Sequence, residues 1–187
     1  MKLFNLFLTV MLFMAFSTDV CAQQELDKSQ IKQAQKRAKE LQKKGWDVKP
    51  GGLPIFEQEK MILSYRLDIG RWVVGSASSV GTIYDAARIS AMNFAKTELA
   101  NNISSQLTAK YVAEASNEQM GEDEAKSKAE SAMKQQQVTI NQKLSNPRVI
   151  ADQYMRLPNG NYEVAITIAI EAQKIEDLVN DIYEKTR

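Results

Sequence analysis

The chain has 187 residues, no histidine, one cysteine, and 24 basic against 23 acidic side chains. The lack of histidine excludes most metalloenzymes and hydrolases, because histidine is the commonest metal ligand and the usual base beside a nucleophilic serine or cysteine. The near-neutral charge lacks the basic excess that is typical of a nucleic-acid-binding protein. A single cysteine cannot form an internal disulfide. We assign no catalytic, cofactor-binding or metal-binding residue from the sequence.

The first 22 residues have the pattern of a secretory signal peptide. Lys2 supplies the basic start, and residues 3–16 form an apolar run that is shorter than the roughly 20 residues of a membrane span. Short side chains at Cys21 and Ala22 suit signal peptidase, so we expect cleavage after Ala22 and export to the periplasm or to an outer-membrane-associated location. The alternative is a lipoprotein signal with an acylated Cys21, although Val20 does not suit the position before a lipidated cysteine.

The mature chain is therefore expected to begin at Gln23 and to carry no lipid. The intact mass of the protein purified from its own host measures this directly. A diacyl increment on Cys21 would contradict the expectation.

Residues 24–44 are predicted to form a helix that ends at Gly45. Its apolar side is thin: Leu26, Ile31, Ala34, Ala38 and Leu41. Its other sides are basic, with one interruption at Glu40: Lys32, Lys36, Arg37, Lys39, Lys43 and Lys44. These cations form either a solvated face or a contact with an anionic surface of the envelope, lipid or glycan. Because the connector 45–54 is rich in glycine and proline, we expect the segment before it to be mobile and dispensable for folding, while Trp46 pins the connector to the core.

The body of the chain is predicted to start with a short helix after Pro54, although residues 61–67 also fit a strand. Its inner side is predicted to be Ile55, Met61, Ile62 and Tyr65. Residues 71–79 are predicted to form a strand whose small side chains let the next element approach closely. That element is a helix from Thr82 to about Ala115. Its predicted buried stripe is Ile83, Ala87, Ala91, Phe94, Leu99, Ile103, Leu107 and Tyr111.

The second half is predicted to contain a polar helix, a hairpin and a closing helix. The polar helix covers residues 122–143 with a narrow stripe: Ala125, Ala129, Met133, Gln137, Ile140 and Leu144. Strands at 148–157 and 162–170 are joined by the turn 158–161. The second strand alternates apolar and other residues, so Ile166 and Ile168 should face the helices. An amphipathic helix over 171–185 ends the chain.

Two parts of this pattern resemble the LPP-twenty lipoprotein-like family of bacterial envelope proteins. The first part is the small-residue strand Gly75-Ser76-Ala77 followed by a helix with the alanine spacing of 85–103. The second is 149–154, the turn Pro158-Asn159-Gly160 and the strand start 162–166. The resemblance covers about residues 71–185. Residues 24–52 are an addition similar to exported proteins of the Bacteroides type.

The resemblance implies an α+β fold with helices on one face of a small antiparallel sheet of about three strands. The same fold occurs in the N-terminal domain of a flagellar outer-ring protein. Family members are mostly envelope lipoproteins without known enzymatic activity, so no catalytic residue carries over. The expected organisation is a signal peptide at 1–22, a basic helix and linker at 23–52, and the α+β domain at 53–187.

Two classes of function follow from this organisation. The first is a non-enzymatic envelope protein, structural or protein-binding, which contacts another protein or a second copy through a sheet edge or a helix face. The second is a carboxylate-dependent enzyme or glycan-binding protein, in which Asp68 or Asp152 lines a groove with Trp46 or Trp72. A concave pocket with two facing carboxylates or an exposed tryptophan would favour the second class. A third interpretation, a periplasmic holdase, predicts suppressed aggregation of unfolded outer-membrane proteins.

Overall fold

A computed structural model describes residues 25–118 and 121–186 of the protein. The elements are α1 (Lys28–Lys43), α2 (Ile55–Leu67), β1 (Trp72–Gly81), α3 (Tyr84–Glu118), α4 (Glu122–Gln135), α5 (Gln137–Lys143), β2 (Arg148–Arg156), β3 (Tyr162–Glu171) and α6 (Ala172–Thr186). The α+β class with a three-stranded antiparallel sheet is confirmed. The predicted signal peptide, with Cys21 and the cleavage site, lies outside the described residues. Within the described residues, no helix is long and apolar enough to cross a membrane.

The sheet has the strand order β1-β3-β2, so the last strand in sequence lies at the centre. The predicted hairpin between β2 and β3 is confirmed, and Gly160 adopts the positive φ of 86° that its turn requires. The alternation in β3 is also confirmed: Ile166 and Ile168 are 1% and 0% exposed and belong to the core cluster that contains α3. Residue 150 bulges from β2, because the register with β3 shifts between Val149 and Ala151.

The main core lies between the sheet and helices α3, α4 and α6. Helix α3 buries a residue at every fourth position: Ala87, Ala91, Ala95, Leu99, Ile103, Leu107 and Tyr111. The predicted stripe was wrong at two positions, since Ile83 is 60% exposed and Phe94 is 55% exposed. A constant spacing of four places Ala95 on the buried face, and the larger Phe94 lies one residue away from it.

Helix α3 approaches the small-residue strand closely, as predicted. A Cβ atom placed on Gly75 would lie 2.5 Å from the Ala95 carbonyl oxygen and 3.1 Å from Leu99 Cγ. On Gly81 it would lie 2.9 Å from the Ala87 amide nitrogen. The glycines of β1 therefore let the helix backbone lie directly against the sheet.

Replacing Gly75 with alanine is expected to lower the free energy of unfolding by about 1–3 kcal/mol, because the new methyl group overlaps a backbone carbonyl rather than a flexible side chain. Gly70→Ala is the matched control. No atom lies within 4 Å of a Cβ at that position, so its stability should change by about 0.5 kcal/mol at most. Urea unfolding measures both variants, and equal stabilities would contradict the close approach.

The predicted single helix over 122–143 is wrong, since it is broken at Gln136 into α4 and α5. In a straight helix the stripe would have continued through Gln136 or Gln137, and neither side chain gains from burial in an apolar core. The break leaves Gln137 exposed and still buries Ile140 and Leu144. The helix therefore ends where its apolar pattern has a gap.

The helices do not lie on one face only, which corrects the predicted one-sided layer. Tyr65 of α2 packs on Ile150, Ala169 and Trp72, which belong to the opposite face of the sheet from Ile168. Because the outward residues of β3 alternate with the core isoleucines, β3 has a second buried surface at Ala169. Helix α2 covers that surface.

Helix α1 packs on α2, and this corrects the expected weak attachment of the N-terminal segment. Ala38 and Leu41 of α1 form a small core with Ile55 of α2, and Trp46 packs against it as predicted. Asp47 pairs with Tyr154 at the outer edge of β2, with N···O distances of 2.7 and 2.9 Å. Small alanine side chains let the two helices approach closely, so a thin apolar stripe is sufficient for packing. The domain boundary at residue 52 stays a prediction.

Candidate functional site

A cleft of about 320 Å³ lies between the α1–α2 pair and the part of the outer sheet face that these helices leave uncovered. We call it the sheet cleft. Its floor consists of small side chains from β1 and β3: Ser76, Ser78, Ala165 and Thr167. Its walls carry larger groups: Arg37, Trp46, Glu59, Ile62, Arg66, Gln153 and Glu163. A cavity of about 330 Å³ between α1 and α2 shares Arg37, Glu59, Ile62 and Arg66, so the two form one groove.

The floor of the sheet cleft follows from the alternation of the strands. Ala165 and Thr167 alternate with the core residues of β3, and Ser76 lies opposite Thr167 in the register. The Ser76 hydroxyl donates to Thr167 Oγ1 at 3.1 Å, and Arg66 Nη2 donates to Ser76 Oγ at 2.9 Å. The Arg66 guanidinium is therefore held against the floor from the α2 side.

The walls of the sheet cleft carry both signs of charge. Glu59 Oε1 accepts a hydrogen bond from Gln153 Nε2 at 2.9 Å, which ties this carboxylate of α2 to strand β2. Glu163 extends from β3 on the same side, and Arg37 and Arg66 supply two cations. The half-buried Trp46 adds an aromatic surface. Such a lining matches the chemistry of a polar ligand that has both donors and acceptors, or both charges.

A second cluster joins the start of α3 to β2. Asp152 Oδ1 accepts from the Tyr84 hydroxyl at 2.7 Å, and Oδ2 accepts from Arg88 Nε at 2.5 Å. Burial, followed by the hydrogen bond to Asp152, raises the pKa of Tyr84 above its ordinary value, so the phenol stays protonated at neutral pH. The hydrogen bond to Asp152 likewise raises the pKa of Arg88. Both carboxylate oxygens of Asp152 accept hydrogen bonds, so this group of residues, which we call the Asp152 cluster, ties the start of α3 to β2.

Aromatic rings surround the Asp152 cluster and extend its contacts to the connector 45–54. The Tyr84 ring lies edge-on to Tyr154, with centroids 5.5 Å apart, and to Tyr162 at 6.5 Å. Lys49 Nζ lies 4.0 Å from the centroid of the Tyr84 ring. These contacts hold the start of α3, the β2–β3 hairpin and the connector together, which is a structural role.

The residues selected from the sequence are not gathered in one groove. Asp68 ends α2, where its carbonyl accepts from the amide of Trp72. The Trp72 ring lies 4.7 Å from that of Tyr65, with the Arg148 guanidinium 5.5 Å from its centroid. Only Trp46 of the predicted set lines the sheet cleft. Glu59 and Glu163 are the carboxylates that line it, and the sequence analysis did not select them.

Both outer edges of the sheet carry contacts from other elements. The Ser76 amide of β1 donates to the Glu98 carboxylate of α3. On β2, the Asp152 amide donates to Gln58 Oε1 at 2.9 Å, next to the Asp47 bridge. Added strands need free amide and carbonyl groups along an edge, so these contacts favour the sheet cleft over a sheet edge as a binding site.

The described residues contain no group of three or more histidine, cysteine or acidic side chains placed to hold a metal ion. No protein-family model, no curated protein and no solved structure matches the chain.

Proposed function

We propose that the protein is a non-enzymatic, exported module of the bacterial cell envelope that binds a segment of another protein, or of a second copy, in the sheet cleft. The observation that supports this most is the half-covered outer face of the sheet. Helix α2 covers the face near Ala169 and leaves the floor at Ser76, Ser78 and Ala165 open to a ligand.

The chemistry of the sheet cleft fits a polypeptide. The floor is flat and made of small side chains, so the backbone of an extended segment can lie close to it. The hydroxyl group of Ser78, which is exposed on the floor, can pair with peptide groups. The walls carry Arg37 and Arg66 beside Glu59 and Glu163, so acidic and basic side chains of the segment each meet an opposite charge.

A photo-crosslinking amino acid at Ser78 tests this proposal in the native host. Ser78 is exposed on the cleft floor, so a bound segment should form an adduct, which mass spectrometry identifies. The same group at Lys128, an exposed position on α4, is the control. Adducts with the chain itself would identify a second copy as the occupant. Equal adduct patterns at both positions would contradict the proposal.

A blocking variant completes the test. Ala165→Trp fills the floor from β3 without changing a core residue, because Ala165 points away from the main core. Binding of the identified segment, followed by the fluorescence anisotropy of a dye attached to that segment, should weaken at least about tenfold, since a filled site excludes its ligand. Unchanged binding to Ala165→Trp would remove the sheet cleft from the proposal.

Glycan binding is the second candidate, because the sheet cleft meets part of the criterion for that class: Glu59 and Glu163 both line it, beside the half-buried Trp46. It ranks second because Trp46 is not exposed and Glu59 Oε1 already accepts from Gln153. Aromatic rings stack on sugar faces, and carboxylates accept from sugar hydroxyls. Titration calorimetry with fragments of the host's envelope polysaccharide should then show binding that Trp46→Leu abolishes, because leucine keeps an apolar side chain against Ile55 but has no ring to stack on a sugar. Turnover of such fragments that is lost in Glu59→Gln and in Glu163→Gln would support a carboxylate-dependent enzyme instead.

Membership of the LPP-twenty lipoprotein-like family is part of the proposal. It is supported by the order of a small-residue strand, a long alanine-spaced helix and a hairpin with a Pro-Asn-Gly turn. The Gly75–Ala95 approach gives a physical reason for the small residues of that pattern. Fractionation of the host should place the protein in the periplasm or with the outer membrane, and a cytoplasmic location would contradict the proposal.

A further inference from the structure

Five lysines form one straight row along the outer side of α1. They are Lys28, Lys32, Lys36, Lys39 and Lys43, and we call them the lysine stripe. Their spacing of three and four residues places them on one side of a helix. That side is opposite Ala34, Ala38 and Leu41, which are 3%, 2% and 7% exposed. All five lysines are exposed.

The lysine stripe is electrostatically unbalanced within the protein. Lysines four residues apart on a helix repel each other. In the part of the chain that the structure describes, no carboxylate lies within ion-pair distance of any of the five. Glu40 is the single acidic residue between Lys28 and Lys43. An external anionic partner would therefore relieve a repulsion that the fold leaves in place.

We propose that the lysine stripe docks α1 on the surface of an anionic lipid bilayer. The stripe is convex and carries no aromatic side chain, so it neither encloses a polymer chain nor stacks on sugars. Lysine ammonium groups act as point charges and do not require a fixed phosphate geometry. An extended plane of anionic headgroups is the partner that fits a straight convex row of such charges.

Docking in this orientation is compatible with the rest of the fold. Helix α1 uses its opposite side to pack on α2, so most of the stripe points away from the molecule. Lys36 stands at the rim of the cavity between α1 and α2. Arg37, which is not part of the stripe, lines the sheet cleft. No apolar side chain belongs to the stripe, so the contact is an electrostatic one at the headgroups, without insertion.

Co-sedimentation of the mature chain with vesicles tests the proposal. Binding is expected to vesicles of phosphatidylcholine with phosphatidylglycerol at low salt, and not to vesicles of phosphatidylcholine alone. It should be lost at about 0.5 M salt, because salt screens exposed charges. Each lysine neutralised should weaken partitioning about fivefold, so K28Q/K32Q/K39Q/K43Q, which leaves Lys36 at the cavity rim unchanged, should bind several hundredfold more weakly. Glutamine retains helix propensity, and circular dichroism checks the fold.

The matched control is K128Q/K134Q/K143Q/K174Q, which removes the same charge from exposed positions on α4, α5 and α6. It should retain most of the binding. Equal weakening of the two variants would mean that net charge alone acts and would overturn the proposal. Binding to a sulfated polysaccharide without binding to the anionic vesicles would overturn it in favour of a glycan partner.

Discussion

Replacing Ile168 with alanine is expected to lower the free energy of unfolding by about 2–5 kcal/mol, the range for large-to-small changes in a packed core. Ile168 lies on the central strand and is 0% exposed. Its register partner in β1 is Gly75, against which the α3 backbone packs. The surrounding elements hold the site rigidly, so the cavity left by the substitution cannot close by a small shift. Urea denaturation followed by circular dichroism measures the loss.

Ile69→Ala is the control for this prediction. Ile69 is 79% exposed in the turn before β1, so the same chemical change there should alter stability by about 0.5 kcal/mol at most. Ile166→Ala should behave like Ile168→Ala, because its side chain points to the same core. A loss below about 0.5 kcal/mol at Ile168 would be inconsistent with a close-packed core on this face.

The strands and helices that the sequence predicts well are those in which two signals agree. In β3, the alternation of isoleucine with smaller residues coincides with a turn that contains Gly160. In α3, the spacing of the apolar residues coincides with the glycines of the preceding strand. The error at Phe94 shows the limit of the second signal. Size favoured phenylalanine for burial, but the geometry of close packing requires the neighbouring Ala95.

The packing of α1 and α2 on the outer face of the sheet could not be predicted, because the surfaces that meet there carry few large apolar side chains. The apolar side of α1 is mostly alanine, which a solvated helix also tolerates. Alanine at positions 165 and 169 of β3 is compatible with different degrees of burial. In the structure Ala165 is half-buried and lines the sheet cleft, whereas Ala169 is buried under α2. Only the three-dimensional fit of α2 decides between them.

The lining of the sheet cleft could not be predicted from the sequence for a related physical reason. Glu59 and Glu163 are separated by about a hundred residues in the sequence, and each has the pattern of an ordinary surface residue. They line the same cleft only because β3 pairs with β1 and α2 crosses the sheet. Asp152 was predicted to line a groove with Trp46 or Trp72, but it does not line the sheet cleft. Its partners Tyr84 and Arg88 lie on a helix that sequence spacing alone cannot align with β2.

The packing of α1 gives the second prediction of large effect. A shortened chain that begins at Gly52 loses Leu41 and Trp46, which cover Ile55, and it loses the Asp47 bridge to Tyr154. Ile55 is 3% exposed in the intact protein, and removal of α1 opens its side chain to water. Each large apolar side chain that loses its burial costs about 1.5–3 kcal/mol.

We therefore expect the shortened chain to lose about 3–6 kcal/mol of unfolding free energy, or to fail to fold, rather than to keep the cooperative transition of the mature chain. Two point variants separate the inner and outer sides of α1. Leu41→Ala should cost about 2 kcal/mol or more, because Leu41 is 7% exposed, whereas Lys39→Gln should be nearly neutral. Thermal unfolding of the shortened chain and of the two point variants, each compared with the mature chain, measures these losses. If the shortened chain melts with the mature chain and Leu41→Ala is neutral, α1 contributes nothing to the core. Its attachment is then as weak as the glycine-rich connector first indicated.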